Sequence, residues 1–149
     1  MNAVMPTMTE LPWTVDTNIL VYATESNTSA TKQHIAKQLL TRLTLSPQAC
    51  LLGQVVSEFM NVVLRKQAMT HAQAFEAVNL FSQAARVVGA SQQAYAQAWK
   101  LVATHKYQVG DALIIAICAE HGVKTLYSED AGSLKRPLGV HVVNPFEAP

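Results

Sequence analysis

The chain has 149 residues, of which 14% are charged, and its formal net charge at pH 7 is +1. A chain of this length can bury enough surface to fold without disulfide bonds, so we expect one domain over residues 1–149 with its core at about 13–146. The near-neutral charge excludes a strongly basic nucleic-acid-binding module, but it does not by itself select a partner.

The N-terminal segment and the cysteines indicate the compartment. Residues 1–13 lack the basic and apolar regions of a signal peptide, and the longest apolar run, residues 112–119, is too short to cross a membrane. Cys50 and Cys118 both lie in apolar runs, where free cysteine behaves as a small hydrophobic residue. We therefore expect a cytoplasmic protein without a membrane segment and with two reduced, structural cysteines.

The hydrophobic pattern alternates between short β-type runs and longer segments with helical spacing. Residues 18–22 could begin a helix or continue the first strand, and we favour a strand that ends near Asp16. In chain order, the pattern predicts a strand at 13–15, a helix at 29–43, a strand at 49–52, helices at 54–66, 70–88, 91–105 and 112–120, and strands at 124–127 and 140–143. This alternation predicts an α/β sandwich with a mainly parallel sheet.

Aspartate occurs only three times, and each one stands where an apolar segment meets a predicted turn or helix start: Asp16, Asp111 and Asp130. Glu58 borders the apolar face of the 54–66 helix. In parallel α/β folds, ligands gather at the carboxyl ends of the strands, so these four carboxylates can converge there. Two carboxylates about 5 Å apart repel by roughly 3 kcal/mol at an effective dielectric of about 20. A hard divalent cation removes this penalty and prefers oxygen ligands.

Each acidic residue also has a simpler interpretation when it is considered alone. Asp111 could cap the helix that follows it, Asp16 and Asp130 could be turn formers, and Glu58 could be a boundary residue whose carboxylate reaches water. The order of the four residues and their local sequences favour a shared site.

Those local sequences resemble a known family. Residues 16–23, Asp-Thr-Asn-Ile-Leu-Val-Tyr-Ala, are similar to the opening segment of PIN-domain ribonucleases, in particular the VapC-type toxins of toxin–antitoxin pairs. Four later segments resemble that family in the same order: 54–59, 110–114, 126–130 and 142–146. The resemblance extends from about residue 14 to residue 146.

The resemblance implies a three-layer α/β/α sandwich and a metal-dependent endoribonuclease, most similar to a toxin, that uses Mg²⁺ or Mn²⁺. It assigns the metal and the catalytic centre to Asp16, Glu58, Asp111 and Asp130, with Asn18 and Ser128 orienting these carboxylates. The adjacent Glu129 is the alternative for the fourth position, for which we choose Asp130. It also implies an RNA substrate, a homodimer, and an antitoxin that inserts a segment into the acidic groove. Residues 131–133, Ala-Gly-Ser, depart from the acidic or aromatic continuation of that family.

Phosphodiester hydrolysis is the reaction that such ligands support, because a metal-bound water can attack without a nucleophilic side chain. Candidate phosphate contacts are the basic pairs Arg65, Lys66, Lys135 and Arg136, although ordinary surface charge explains them equally well. Two other interpretations stay open. The chain could be a non-catalytic PIN-like binding or regulatory module with an acidic metal-binding cleft, or an α/β domain that accepts a phosphoryl group on Asp16.

Two further groups have simpler interpretations. His105 and Lys106 could meet substrate, but a solvated helix end is the better explanation of both. Tyr95 and Trp99, at helical spacing, are more typical of core or dimer contacts than of base-stacking platforms.

Overall fold

The computed structural model describes residues 10–130 and 137–147. The candidate phosphate contacts Lys135 and Arg136 lie outside the described residues. In chain order, the elements are β1 (Trp13–Val15), α1 (Thr17–Thr24), α2 (Ala30–Leu45), β2 (Leu51–Leu52), α3 (Gly53–Arg65), α4 (His71–Ala84), β3 (Val87–Val88), α5 (Gln92–His105), α6 (Val109–Glu120), β4 (Thr125–Tyr127), a short 3₁₀ turn (Pro137–Gly139) and β5 (His141–Val143).

The strands pair in parallel throughout the described part of the chain. β1 pairs with β4, β4 pairs with β5, and β2 pairs with β3. A parallel bridge between Trp13 and Ala49 joins the two groups of strands, so the order across the sheet is β3, β2, β1, β4, β5. β2 and β3 are therefore added on one side of β1, and β4 and β5 are added on its other side.

Helices cover both faces of this sheet, as a parallel sheet requires. α1 packs on α2 and α3, α3 packs on α4, and α5 packs on α6. The most apolar helix is α6, which buries Ile114, Ile115 and Ile117 in the core. The architecture is a three-layer α/β/α sandwich, which confirms the predicted fold class.

Side-chain caps explain where several helices begin. The Ser29 hydroxyl accepts a hydrogen bond from the Lys32 backbone N–H at the start of α2. Ser91 caps α5 by accepting from the Ala94 backbone N–H. Thr70 caps α4 and forms a reciprocal capping box with Gln73. These hydroxyls satisfy N–H groups that have no partner within the helix.

Most predicted boundaries agree with the structure to within two residues, and two differ by more. The helix predicted over 70–88 ends at Ala84, because Val87–Val88 forms a strand that pairs with β2. The helix predicted over 112–120 begins earlier, at Val109, so Asp111 lies inside its first turn and Gln108 is the cap residue. Residues 18–22, which could begin a helix or continue the first strand, are helical, and β1 ends at Val15, as we favoured.

The core joins elements from almost the whole described chain. Its buried residues run from Trp13 in β1 to Val142 in β5, and Phe146 packs against them. Cys50 and Cys118 are buried and free, and burial raises the pKa of both thiols, which agrees with a structural role. No helix in the described residues is both long enough and apolar enough to cross a membrane.

Candidate metal and nuclease site

The acidic residues gather where β1 and β4 lie side by side. Asp16 directly follows β1, and the segment Ser128–Asp130 directly follows β4. The Asp16 backbone N–H donates to the Tyr127 carbonyl oxygen at 2.9 Å, which holds the two strand ends together. The strand order reverses between β1 and β4, because β2 and β3 lie on one side of β1 and β4 lies on the other. Open parallel sheets form ligand crevices at such switch points.

A groove of about 510 Å³ opens at this edge of the sheet. All four predicted carboxylates line it, although they come from four separate parts of the chain. The lining residues are Asp16, Thr17, Asn18, Val21, Tyr22, Glu58, Val62, Arg65, Lys66, Gln108, Asp111 and Asp130.

Asp16 is the most buried of the four acids, with 6% of its surface exposed. One carboxylate oxygen accepts from the Thr17 backbone N–H at 2.7 Å, and the other accepts from the Ser128 hydroxyl at 2.7 Å. Burial raises the pKa of Asp16 above its ordinary value, and the negative charges of Glu58 and Asp111 raise it further. The deep position and the two donors disfavour Asp16 as a phosphoryl acceptor.

Glu58 projects from α3 into the same groove and is held at both oxygens. The Thr17 hydroxyl donates to one oxygen at 2.9 Å, and the Gln54 amide donates to the other at 3.0 Å. Gly110, at the start of α6, leaves space for this carboxylate, because a Cβ atom at position 110 would lie 3.0 Å from the second oxygen. The contact explains why a glycine stands at this position in the first turn of α6.

Asp111 and Asp130 complete the acidic lining of the groove. Burial raises the pKa of Asp111, and the negative charges of Asp130 and Glu58 add to the shift. Asp130 is exposed, and its backbone N–H donates to the Ser128 hydroxyl at 3.1 Å. Ser128 therefore bridges Asp16 to the turn that carries Asp130. Asp111 is thus coupled electrostatically to each of the other three carboxylates.

The donor set matches a hard divalent cation in its chemistry. The candidate ligands are all carboxylate oxygens, and their mutual repulsion is the condition that a cation relieves. Within residues 10–130 and 137–147, no three His, Cys, Asp or Glu side chains lie close enough together to form a ready-made metal cluster. Mg²⁺ does not require one, since it is usually held by one or two carboxylates and keeps several waters.

Three of the predicted polar and basic residues line the groove and differ in their contacts. Arg65 and Lys66 line the groove at the end of α3, and Lys66 also lies 3.9 Å from Glu25 in an ion pair. Asn18 lines the groove too, but its side-chain oxygen accepts from the Glu129 backbone N–H at 3.4 Å. Its contact is thus with the turn rather than with a carboxylate.

The remaining candidates lie away from the groove. His105 and Lys106 are exposed at the end of α5 and do not line the groove, which agrees with a solvated helix end. Tyr95 and Trp99 are 43% and 61% exposed, so they are not core residues in this structure. Their rings lie 6.1 Å apart on the outer face of α5.

Sequence reasoning missed three residues that shape the site: Thr17, Gln54 and Gly110. Gln54 stands four residues before Glu58, a spacing that places both on one face of a helix and could have indicated the contact. Thr17 immediately follows Asp16, but its bond to Glu58 spans 41 positions, and nothing local indicates it.

Known proteins share the family and the fold of this chain. The family model described as "PIN domain" matches residues 14–137, whereas no curated protein sequence matches the chain significantly. The structure is similar to Mycobacterium tuberculosis VapC20, described as a toxin that cleaves the sarcin–ricin loop, at 22% identity and a TM-score of 0.65, over 78% of this chain and 88% of that chain.

Two further solved structures have the same fold. A toxin–antitoxin complex from Klebsiella pneumoniae matches at 21% identity and a TM-score of 0.65, over 91% of this chain and 98% of that one. VapBC-1 from nontypeable Haemophilus influenzae matches at 16% identity and a TM-score of 0.66, over 91% and 98%. At identities this low, structural similarity establishes the fold alone. The family model confirms the resemblance to PIN domains that the sequence motifs indicated.

Proposed function

This chain belongs to the PIN-domain family, and from that membership we propose that it is a metal-dependent endoribonuclease that hydrolyses RNA phosphodiester bonds. The single observation that carries the proposal is the convergence of four carboxylates from separate elements on one groove at the β1–β4 switch point. Structural carboxylates are normally neutralised by basic partners, but here burial and neighbouring acids raise the pKa values of Asp16 and Asp111. Such perturbed groups in a cleft are typical of functional sites.

Asp16, Glu58, Asp111 and Asp130 would hold the cation, either Mg²⁺ or Mn²⁺, directly or through its waters. When bound, it would lower the pKa of a water molecule to generate the attacking hydroxide and would stabilise charge on the phosphate and the leaving oxygen. The protein supplies orientation. Thr17, Gln54 and Ser128 fix the directions of the acidic side chains through hydrogen bonds that are already formed.

Arg65 is the described basic residue best placed to bind the RNA backbone. It is exposed, it lines the groove beside the carboxylates, and its guanidinium can bind phosphate oxygens through two hydrogen bonds. Lys66 also lines the groove, but its ion pair with Glu25 competes with such a contact. We therefore assign the principal phosphate contact to Arg65.

The test is cleavage of a mixed single-stranded RNA pool by the purified protein with Mg²⁺, with Mn²⁺ and with EDTA. We expect cleavage only with the metal, and we expect an Asp16→Asn variant, which keeps the size of the side chain, to lose it. Cleavage that persists in EDTA would contradict the metal mechanism. If the wild type binds Mn²⁺ and cleaves no RNA, the non-catalytic module becomes the better interpretation.

We also propose that the protein is the toxin of a toxin–antitoxin pair and forms a homodimer. A similar structure from Klebsiella pneumoniae is described as a toxin–antitoxin complex, and the groove here is open to a partner segment. The exposed Tyr95–Trp99 ring pair is a candidate dimer contact. Co-purification with the product of the adjacent upstream reading frame, followed by light scattering, tests both assignments. A monomeric protein without a bound partner would contradict them.

A further inference from the structure

The turn that carries Asp130 is held by a cluster of side chains beside the acidic carboxylates, and one of them, Tyr22, also lines the groove. We define the Glu129 clamp as the side chains of Tyr22, Lys32, Glu129 and Phe146. The Tyr22 hydroxyl and the Lys32 ammonium group both donate to the Glu129 carboxylate. These donors come from α1 and α2, which are far from Glu129 in the sequence.

The clamp is also packed around two aromatic rings. The Tyr22 and Phe146 rings meet edge to face with their centres 5.4 Å apart. The Lys32 nitrogen lies 5.0 Å from the centre of the Tyr22 ring and 5.7 Å from that of Phe146, within the range of cation–π attraction. Tyr22 therefore binds Glu129 through its hydroxyl and supports Lys32 through its ring.

The backbone of Glu129 is fixed as well. Its N–H donates to the Asn18 side chain at 3.4 Å, and its carbonyl oxygen accepts from the Asn144 amide at 3.3 Å. With the carboxylate held by Tyr22 and Lys32, all polar groups of Glu129 have partners. Burial by itself raises the pKa of Glu129, but the hydrogen bonds from Lys32 and Tyr22 outweigh it and leave the pKa below the ordinary value.

Glu129 and Asp130 are adjacent acids, and their surroundings differ. The Glu129 carboxylate is neutralised by Lys32, whereas Asp130 lines the acidic groove and raises the pKa of Asp111. We propose that Glu129 is a positioning residue rather than a metal ligand, and that the Glu129 clamp holds the Ser128–Asp130 turn so that Asp130 faces the groove. This inference rests on the proposed function, since it assigns Asp130 to the metal site.

Removal of the Tyr22 hydroxyl is the most direct test of the Glu129 clamp. Tyr22→Phe removes the hydrogen bond to Glu129 and keeps the ring that packs on Phe146 and Lys32, so the fold and melting temperature should stay close to those of the wild type. Tyr95→Phe, on the exposed face of α5, is the matched control because it removes a hydroxyl far from the groove. Glu129→Gln keeps an oxygen acceptor for Tyr22 and should be milder than Glu129→Ala.

Two measurements on the intact protein test the positioning role of the Glu129 clamp. The first is amide hydrogen exchange without metal, in which Tyr22→Phe and Glu129→Ala should accelerate exchange at Glu129 and Asp130, and Tyr95→Phe should not. The second is Mn²⁺ affinity by calorimetry, which should weaken in Tyr22→Phe by on the order of tenfold, the lower end of the effect of removing a group that orients metal ligands.

The outcomes separate this inference from the proposed function. Unchanged exchange at Glu129 and Asp130 in both variants would overturn the clamp, whatever the metal does. Faster exchange with wild-type Mn²⁺ affinity, while Asp16→Asn loses Mn²⁺, would show that the turn does not position a ligand. Failure of the wild type to bind Mn²⁺ would overturn the metal site itself, and the positioning role with it. Faster exchange together with weaker Mn²⁺ binding would support the inference.

Discussion

A Gly110→Ala substitution separates the stability of the fold from the geometry of the acidic site. Gly110 lies in the first turn of α6, and its φ is not in the left-handed region, so alanine is compatible with the backbone there. The added methyl group would lie 3.0 Å from a Glu58 carboxylate oxygen, where ordinary contacts begin at 3.4 Å. The Glu58 carboxylate must therefore retreat by a few tenths of an ångström.

The substitution should raise the stability of the protein and lower its rate of RNA cleavage. Alanine in place of glycine in a helix stabilises it by up to about 1 kcal/mol. The displaced Glu58 carboxylate must stretch its 2.9 Å bond from Thr17 and its 3.0 Å bond from Gln54, which fix it in the groove. A misplacement of about 1 Å in an active site can cost roughly 100-fold in rate, so a shift of a few tenths should cost on the order of tenfold.

The assay compares RNA cleavage and urea denaturation for the wild type, Gly110→Ala and the matched control Gly53→Ala. Gly53 begins α3, and a Cβ atom there would meet its nearest neighbour, the Val88 carbonyl oxygen, at an ordinary 3.6 Å. We expect unchanged or higher stability in both variants and a loss of cleavage in Gly110→Ala alone. Wild-type cleavage by Gly110→Ala, or an equal loss in Gly53→Ala, would refute the reasoning.

Three further predictions address the charges and hydrogen bonds of the groove. Ser128→Ala removes the 2.7 Å bond to the buried Asp16 carboxylate and should destabilise the protein by about 1–3 kcal/mol in urea denaturation; no measurable change would contradict the role of this bond. Burial raises the pKa of Asp16, so at a pH between the unfolded-state pKa of about 3.9 and the raised folded-state pKa, the folded protein holds a proton that the unfolded chain has released. The stability that protonated Asp16 contributes is therefore fully present below the unfolded-state pKa and is lost as the pH rises through the raised value. In EDTA, the wild type should therefore lose stability relative to Asp16→Asn as the pH rises from about 4 to 8, and Mn²⁺ should restore it; a difference that is constant with pH would refute this. Arg65→Ala should raise KM for RNA several-fold with little change in kcat, whereas Lys100→Ala, at an exposed position on α5, should change neither.

The sequence was sufficient to place Asp16 and Asp130 at the carboxyl ends of strands. Asp16 and Asp130 each follow a β-type run, and the parallel arrangement brings strand ends to one edge of the sheet. Asp111 and Glu58 carry a weaker signal, because a carboxylate at a helix start or beside an apolar helix face has several simpler explanations. The sequence predicts that the four can converge, and the structure shows all four in the lining of one groove.

The parts that could not be predicted depend on distant partners. Val87–Val88 follows an Ala- and Gln-rich helix without a Gly or Pro break, and it becomes a strand because β2 pairs with it. The bond between Tyr22 and Glu129 spans 107 positions, and neither residue has a local neighbour that would indicate it. Contacts of this kind depend on how the elements are packed, and short-range periodicity in the sequence does not indicate them.

The position of β4 between β1 and β5 sets a condition on when the groove can exist during protein synthesis. Asp16 is among the first described residues to be made, but the Ser128–Asp130 turn meets it only after β4 has entered the sheet next to β1. A nascent chain that stops before residue 125 holds three of the four acids and has no strand to complete that edge. The acidic groove can therefore form only after the chain has been synthesised as far as Asp130.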